Sequence, residues 1–316
     1  RQIAELHKGG RAVVLVTSGA VGAGRAITKL KNKLEPIAER QLLAAIGQVP
    51  LMSTYEKIFH KYRLTAAQVL ATKEDFRDRG HYLNMQRCFE ALLQNNVIPV
   101  VNENDVVAAA ELMFTDNDEL SGLVAAMLDA EALFLLTSTD GILDDAGTTV
   151  PLVHKNLYFK QYLRADKTIF GRGGMATKSA VAERVANLGI TTYIINGKRT
   201  GGVCRALAGE INGTKFLAAE KKPAIKKWLA QSRGVERGSV TIKPEAAVAL
   251  KNTKRATSLL PVGIIGTHGE FQKDDIIQIK NSAGTLIGYG KAAYGAEELQ
   301  PRLGQKNQPE FVHYDY

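Results

Sequence analysis

From residue 11 to about residue 210, short runs rich in Val, Ile and Leu alternate with stretches whose apolar residues recur at helical spacing. No other feature limits the fold as much. Strands joined by amphipathic helices build a sheet covered by helices. Strands are expected over 12–16, 97–101, 132–136 and 192–195. Helices are expected over 82–95, where Met85, Phe89 and Leu92 share a face, and over 175–188. A further helix carries the stripe Leu120, Leu123, Val124, Met127 and Leu128, capped at its start by Asp116, Asn117 and Asp118. The expected fold class is α/β.

Polar and small residues gather just past these strands: Thr17-Ser18-Gly19, Asn102-Glu103-Asn104-Asp105 and Thr137-Ser138-Thr139-Asp140-Gly141. Ligands of open α/β sheets bind at the carboxyl ends of strands, so a site is expected there, with a solvated turn as the alternative for any one cluster. After residue 219 the pattern changes. A basic segment, 220–236, holds the single tryptophan, Trp228. From 237 onward, short alternating strands over 239–242, 276–279 and 286–289, separated by glycine turns, predict a small, mostly β second domain. The expected organisation is therefore an α/β domain over 1–219, a linker over 220–236 and a second domain over 237–316. The lysine-rich stretch from Lys215 through Lys227 reads as a solvated helix face.

Forty-one basic against 32 acidic residues give a formal charge of +9, which suits phosphates, carboxylates or nucleic acid without choosing among them. No apolar run approaches the roughly 20 residues that cross a bilayer, so no membrane role is expected. The six histidines are scattered, and Cys88 and Cys204 form no CxxC pair. Zinc chemistry is disfavoured, and both thiols are expected in the core of a reduced protein.

Two glycine-rich segments are candidate phosphate sites. Ser18-Gly19-Ala20-Val21-Gly22-Ala23-Gly24-Arg25-Ala26 approaches a phosphate loop, but Arg25 and Ala26 stand where a lysine and a hydroxyl residue belong; as a dinucleotide fingerprint it fails at Ile27. An anion-binding helix start and a structural turn both remain open for it. Gly171-Arg172-Gly173-Gly174-Met175-Ala176-Thr177-Lys178 is stronger. Its glycines permit close backbone approach, a helix N-terminus favours anions, and Lys178 places a cation one turn in, where it would neutralise a transferring phosphoryl group. The carboxylates and amides at 102–105 and 116–118 suit an ammonium group or, for the second cluster, a helix cap.

The same residues carry a resemblance. Val16-Thr17-Ser18-Gly19-Ala20, Gln41-Leu42-Leu43-Ala44-Ala45, Val100-Val101-Asn102-Glu103-Asn104-Asp105, Asp116-Asn117-Asp118 and the run from Gly173 to Lys178 closely resemble the glutamate 5-kinases of the amino-acid kinase family. Ser258-Leu259-Leu260-Pro261-Val262-Gly263 resembles the motif of the C-terminal PUA domain that many bacterial members carry. The resemblance spans essentially the whole chain. It implies a three-layer α/β/α sandwich with a small PUA domain, and ATP-dependent phosphorylation of the side-chain carboxylate of L-glutamate, the first step of proline biosynthesis, in the cytoplasm. It further implies that Ser18, Asp105 and Asn117 hold glutamate. Thr137, Ser138, Gly173, Gly174, Met175, Ala176, Thr177 and Lys178 would hold ATP, with Lys178 also stabilising the transition state and Asp118 organising the catalytic groups. Mg²⁺ would bridge the phosphate oxygens, and no protein metal-ligand set is expected. The acceptor carboxylate is already ionised near neutral pH, so no general base is required.

The resemblance also implies homo-oligomers and feedback inhibition by proline. Two departures stand out. Ser138 occupies a position where the family usually has aspartate, and the family's first strand, with its Lys-x-Gly-Ser/Thr turn, does not precede Arg1. The chain as given is therefore expected to be a fragment with impaired activity. An RNA-binding or RNA-modifying role through the PUA domain fits the positive charge but not the few aromatic residues placed for base stacking. A related kinase acting on aspartate or acetylglutamate is the remaining alternative.

Overall fold

The computed structural model describes residues 1–30, 32–108, 116–154, 174–210, 212–221, 236–251 and 257–313. It divides into two compact units, Arg1–Lys73 with Asn84–Lys221, and Glu74–Leu83 with Lys222–Tyr316.

Up to residue 221 helices and strands alternate as the periodicity predicts. The elements are α1 (Gln2–Lys8), β1 (Leu15–Val16), α2 (Ala20–Ile27), α3 (Pro36–His60), β2 (Thr65–Ala71), α4 (Lys73–Arg77), α5 (Arg79–Gln94), β3 (Val97–Glu103) and α6 (Asn117–Met127). They continue as β4 (Ala132–Thr137), β5 (Leu152–Val153), α7 (Met175–Ala186), β6 (Thr191–Asn196), α8 (Gly202–Leu207) and β7 (Gly213–Phe216). One sheet runs β1-β3-β2, all parallel. The other runs β4-β6-β7-β5, parallel at its two outer pairs and antiparallel between β6 and β7. The central strand β3 extends beyond its apolar run, carrying Asn102 and Glu103 into the ladder opposite Leu70 and Ala71.

Helix α6 is buried all round from Leu120 to Met127, the signature of a helix covered on every side. It packs on β1, β3 and β4 and on α7, so it spans both sheets. Gly122 makes its approach to α7 possible: a Cβ there would lie 3.0 Å from Val181 Cγ1 and 3.1 Å from Val185 Cγ2. A closer approach joins α2 and α3. A Cβ on Gly24 would sit 2.0 Å from the Leu43 carbonyl oxygen, and one on Gly47 would sit 1.8 Å from that of Ala20. This accounts for the second half of the ambiguous glycine-rich segment. Gly24 is buried inside a helix and serves helix packing, whereas Gly19 takes a left-handed φ of 114° as the N-cap of α2.

Three expectations need correction. Lys215 lies in β7 rather than on a helix face, with its ammonium 5.5 Å from the centroid of the Tyr193 ring. The rest of that stretch beyond residue 221, with Trp228 and most of the expected linker, falls outside the described residues. The cysteines are not core thiols. Cys88 is exposed; Cys204 is half-buried, with its sulfur 3.6 Å from Glu5 Oε2. Burial, with Glu5 adding to it, pushes the Cys204 pKa up and keeps the thiol protonated. Finally β2, β5 and β7 were not anticipated, since an Ala-rich strand, a two-residue strand and a short strand holding Gly and Lys give little β signal.

The second unit is mostly β, as its pattern predicts. β8 (Gly238–Ile242), α9 (Pro244–Lys251), β9 (Ile264–His268), β10 (Ile276–Asn281), β11 (Leu286–Lys291) and α10 (Ala296–Leu299) form a sheet of order β11-β10-β8-β9 with two short helices. Its core includes Val240, Ile242, Ile264, Phe271, Ile277 and Phe311. The Ser258–Gly263 motif clamps the end of the chain to this core. The Leu259 N–H donates to the Val312 carbonyl at 2.8 Å and the Phe311 N–H to the Leu259 carbonyl at 2.9 Å. The Ser258 hydroxyl donates to Glu310 at 2.9 Å.

Candidate active site

The first turn of α6 is the hub. Asp116 caps it, with Oδ1 accepting from the Glu119 N–H at 3.1 Å, so Asn117 and Asp118 project from the helix start toward the strand ends. The Asn117 amide donates to the Thr17 carbonyl just past β1 and, at 2.9 Å, to Asn102 Oδ1 at the end of β3. Asn102 in turn donates to Gln48 of α3 at 3.1 Å and accepts from the Glu103 N–H at 2.9 Å. Three clusters that read as separate turns in the sequence thus share one hydrogen-bonded network. Thr17 adds a hydroxyl contact with Tyr55 at 2.5 Å. Ser18, next in the same turn, is exposed, and its hydroxyl makes no hydrogen bond among the described residues.

On the other side of α6, Asp118 Oδ2 meets the Lys178 ammonium at 2.5 Å, both side chains largely buried. The Ser121 hydroxyl donates to the Asp118 carbonyl at 2.7 Å and steadies that turn. Lys178 stands one turn into α7, whose N-cap, Gly174, offers no side-chain cap and whose first turn carries no acidic residue. The opening N–H groups of such a helix lack intrahelical acceptors. Uncapped N–H groups beside an ammonium suit an anion with several oxygens. Gly174, Met175, Ala176, Thr177 and Lys178 are therefore gathered at this helix start, while Gly173 lies outside the described residues.

Asp116 carries the perturbed titration of the cluster. Its Oδ2 is buried and has no hydrogen-bond partner among the described residues. Burial first, and the neighbouring Asp118 charge second, hold its carboxyl above the ordinary range.

Asp105 is buried and bound to Arg40 of α3, whose Nε donates to Oδ1 at 2.7 Å and whose Nη2 donates to Glu103 Oε2 at 2.8 Å. The sequence reading missed Arg40. One signal was available: between Arg40 and Glu56, α3 carries no charged residue.

Thr137 and Ser138 sit at the end of β4, where Thr137 pairs in register with Asn196 of β6. The Gly197 N–H donates to the Thr137 carbonyl at 2.9 Å, and the Asn196 amide donates to the Ser138 carbonyl at 3.3 Å and to Asp140 Oδ1 at 2.9 Å. Arg199 also pairs with Asp140. A carboxylate thus stands two residues beyond the uncharged Ser138, already engaged. Among the described residues no hydrogen bond or ion pair joins Thr137 or Ser138 to the Lys178–Asp118 pair.

Comparison with known proteins fits this architecture. Residues 1–196 match the Amino acid kinase family and residues 238–308 the PUA domain. The chain belongs to the amino acid kinase family. Among curated relatives of this amino acid kinase, a glutamate 5-kinase of Chlorobaculum tepidum is 50% identical over 320 residues, covering 100% of this chain and 88% of the relative. One of Bacteroides thetaiotaomicron is 42% identical over 323 residues, covering 100% and 89%. The structure of Giardia carbamate kinase aligns at a TM-score of 0.50 and 16% identity, over 69% of this chain and 88% of that one, a likeness of fold alone.

Proposed function

We propose that this amino acid kinase transfers the γ-phosphoryl group of ATP to the side-chain carboxylate of L-glutamate, giving glutamyl 5-phosphate, the first step of proline biosynthesis. One observation carries the reading. A continuous set of contacts runs from Lys178 through Asp118 and Asn117 to Thr17 and Asn102, joining an anion-favouring helix start to a cluster of amides and carboxylates. Relatives named glutamate 5-kinase over the full length of the chain support it.

On this reading ATP phosphates lie at the start of α7, on the 173–178 segment, with Thr137 and Ser138 along the nucleotide. Ser18, Asp105 and Asn117 hold glutamate: Asp105 suits the α-ammonium, and the hydroxyl and amide can donate to carboxylate oxygens. Lys178 offsets charge on the transferring group, and Asp118 orients Lys178. The acceptor carboxylate is ionised at neutral pH, so the work of the protein is positioning and electrostatics. The donors at the α7 start fit phosphate oxygens, and Mg²⁺ bound together with ATP would supply further neutralisation. Proline, which shares the α-amine and α-carboxylate, would compete at Asp105 and Asn117. A homo-oligomer, a cytoplasmic setting and the division into a kinase domain over 1–219, a linker over 220–236 and a PUA domain over 237–316 complete the proposal. No helix among the described residues is long and apolar enough to cross a membrane.

ADP release measured with glutamate, aspartate and acetylglutamate as acceptors tests the substrate. Turnover should require glutamate. Equal or faster turnover with either of the others would overturn the assignment.

A further inference from the structure

The amide side chains at the end of β3 form a chain whose polarity is dictated by one group. The Glu103 backbone N–H can only donate, and it meets Asn102 Oδ1 at 2.9 Å. That oxygen also accepts from the Asn117 amide at 2.9 Å. Asn102 therefore faces Gln48 of α3 with its nitrogen, which donates to Gln48 Oε1 at 3.1 Å. Gln48 thus uses its oxygen inside the chain and turns its –NH2 group away from Asn102. That nitrogen, Nε2, is buried and has no hydrogen-bond partner among the described residues. A buried donor without an acceptor is costly and needs a reason.

Its surroundings supply one. A Cβ on the preceding Gly47 would lie 1.8 Å from the Ala20 carbonyl oxygen, and one on Gly19 would lie 3.7 Å from Leu51 Cδ1. The Tyr55 hydroxyl meets Thr17 at 2.5 Å. This stretch of α3 therefore runs along the 17–20 turn, where the Ser18 hydroxyl makes no hydrogen bond among the described residues. The order of contacts matters too. Lys178 pairs with Asp118, Asn117 bonds Asn102, and Asn102 bonds Gln48, so Gln48 stands at the end far from the ammonium. Asp105 lies two residues past β3, at the strand end that carries Asn102.

We propose that Gln48 is a substrate-binding residue that donates through Nε2 to the α-carboxylate of the acceptor amino acid. The α-carboxylate and the α-ammonium leave the same carbon, so the groups that take them must be near neighbours. Gln48 and Asp105 meet that condition through the shared end of β3. The carboxylate that receives the phosphoryl group belongs at the other end of the chain of contacts, beside Lys178. Gln48 thereby tells the two carboxylates of the acceptor apart, by fixing the one that is not phosphorylated. A hydrogen bond to a charged oxygen is stronger than one to a neutral oxygen, so Gln48 favours a free α-carboxylate over an α-amide. The inference rests on the reading that the acceptor is glutamate held at Ser18, Asp105 and Asn117.

The test uses the full-length enzyme with Gln48→Glu and Gln48→Met, and two compounds, glutamate and glutamate α-amide, which keeps the side-chain carboxylate. Gln48→Glu retains an oxygen for Asn102 and replaces the donor with a carboxylate oxygen. It should raise the KM for glutamate about tenfold while kcat and the KM for ATP stay within about twofold, because the lost contact serves ground-state recognition. The inhibition constant of the α-amide against glutamate should move less than about threefold, since its –NH2 can donate to the new carboxylate. A merely structural role would weaken both compounds alike. Gln48→Met, similar in volume but without a donor or a charge, should also raise the KM for glutamate about tenfold and narrow its advantage over the α-amide. Thermal melts accompany the kinetics, and if Gln48→Glu melts far below the parent, Gln48→Met decides. An unchanged KM for glutamate in a folded variant would overturn the proposal. So would a loss confined to kcat, or equal weakening of glutamate and its α-amide. Wild-type enzyme that does not phosphorylate glutamate removes the proposed function, and this inference with it. Normal wild-type turnover with unaffected variants removes this inference alone.

Discussion

Lys178 and Asp118 sit at adjoining helix starts, and their ion pair does two different things for the two partners. Asp118 lies in the first turn of α6, where the helix dipole already favours a negative charge, so loss of its partner should leave the fold intact. Lys178→Met is therefore expected to lower kcat by about 10²–10³ with little change in the KM for glutamate or in melting temperature, the loss typical of one electrostatic donor. A variant that keeps near-normal kcat would show that phosphoryl charge is offset elsewhere. Asp116 gives a prediction in pH. Its raised pKa means that its contribution to stability is fully present below its unfolded-state pKa and is lost as pH rises through the raised folded-state value. Asparagine caps helices as well as aspartate does. Asp116→Asn should thus melt at an increasingly higher temperature than the parent as pH climbs above the ordinary aspartate value, the difference levelling off above the raised folded-state value; a difference flat in pH would contradict this. At this scale the placement of Ser18 and Asp105 past strands was legible because polar residues directly after an apolar run announce a strand end, and that of Asn117, Asp118 and Lys178 at helix starts because capping and glycine patterns announce those. Arg40 and Gln48 were not, since they lie in a long helix and meet Glu103 and Asn102 only at the end of the central strand β3.

The close helix approaches reassign the glycines. Gly24 resembles part of a phosphate loop in one dimension, yet it sits against the backbone of Leu43, and Gly47 against that of Ala20. Backbone atoms cannot rotate away, whereas Gly122 faces the ends of two valine side chains. Gly47→Ala should therefore cost more stability than Gly122→Ala, more than about 3 kcal/mol against roughly 1 kcal/mol once the better helix propensity of alanine is counted. Urea midpoints measure both, and equal losses would contradict the packing argument. The larger Gly122→Val should also lower kcat, because α6 carries Asp118 and α7 carries Lys178, and a wedge between the helices disturbs that pair. Lys215 shows the limit of local reading. A lysine-rich stretch looks like a solvated helix, but antiparallel pairing of β7 with β6 makes its first lysine a strand residue.

The structure divides into two compact units, and the described core cluster of the second lies within residues 240–312. Calorimetry should then resolve two transitions. ATP with Mg²⁺ at a hundredfold excess over its Kd should raise one by the equivalent of about 2.7 kcal/mol and leave the other in place; a single transition that shifts as a whole would show one cooperative body. By itself the amino-acid sequence determined the α/β alternation, the polar clusters at strand ends, the change to a β-rich second part and the family resemblance. All of these are written in windows of about 10 to 20 residues, the span over which periodicity and capping act. Only the tertiary structure decided that residue 117 meets residues 17 and 102, that residue 40 meets 103 and 105, and that residue 118 meets 178. Those meetings depend on how the crossovers stack strands and helices in space, and short-range patterning does not carry that information.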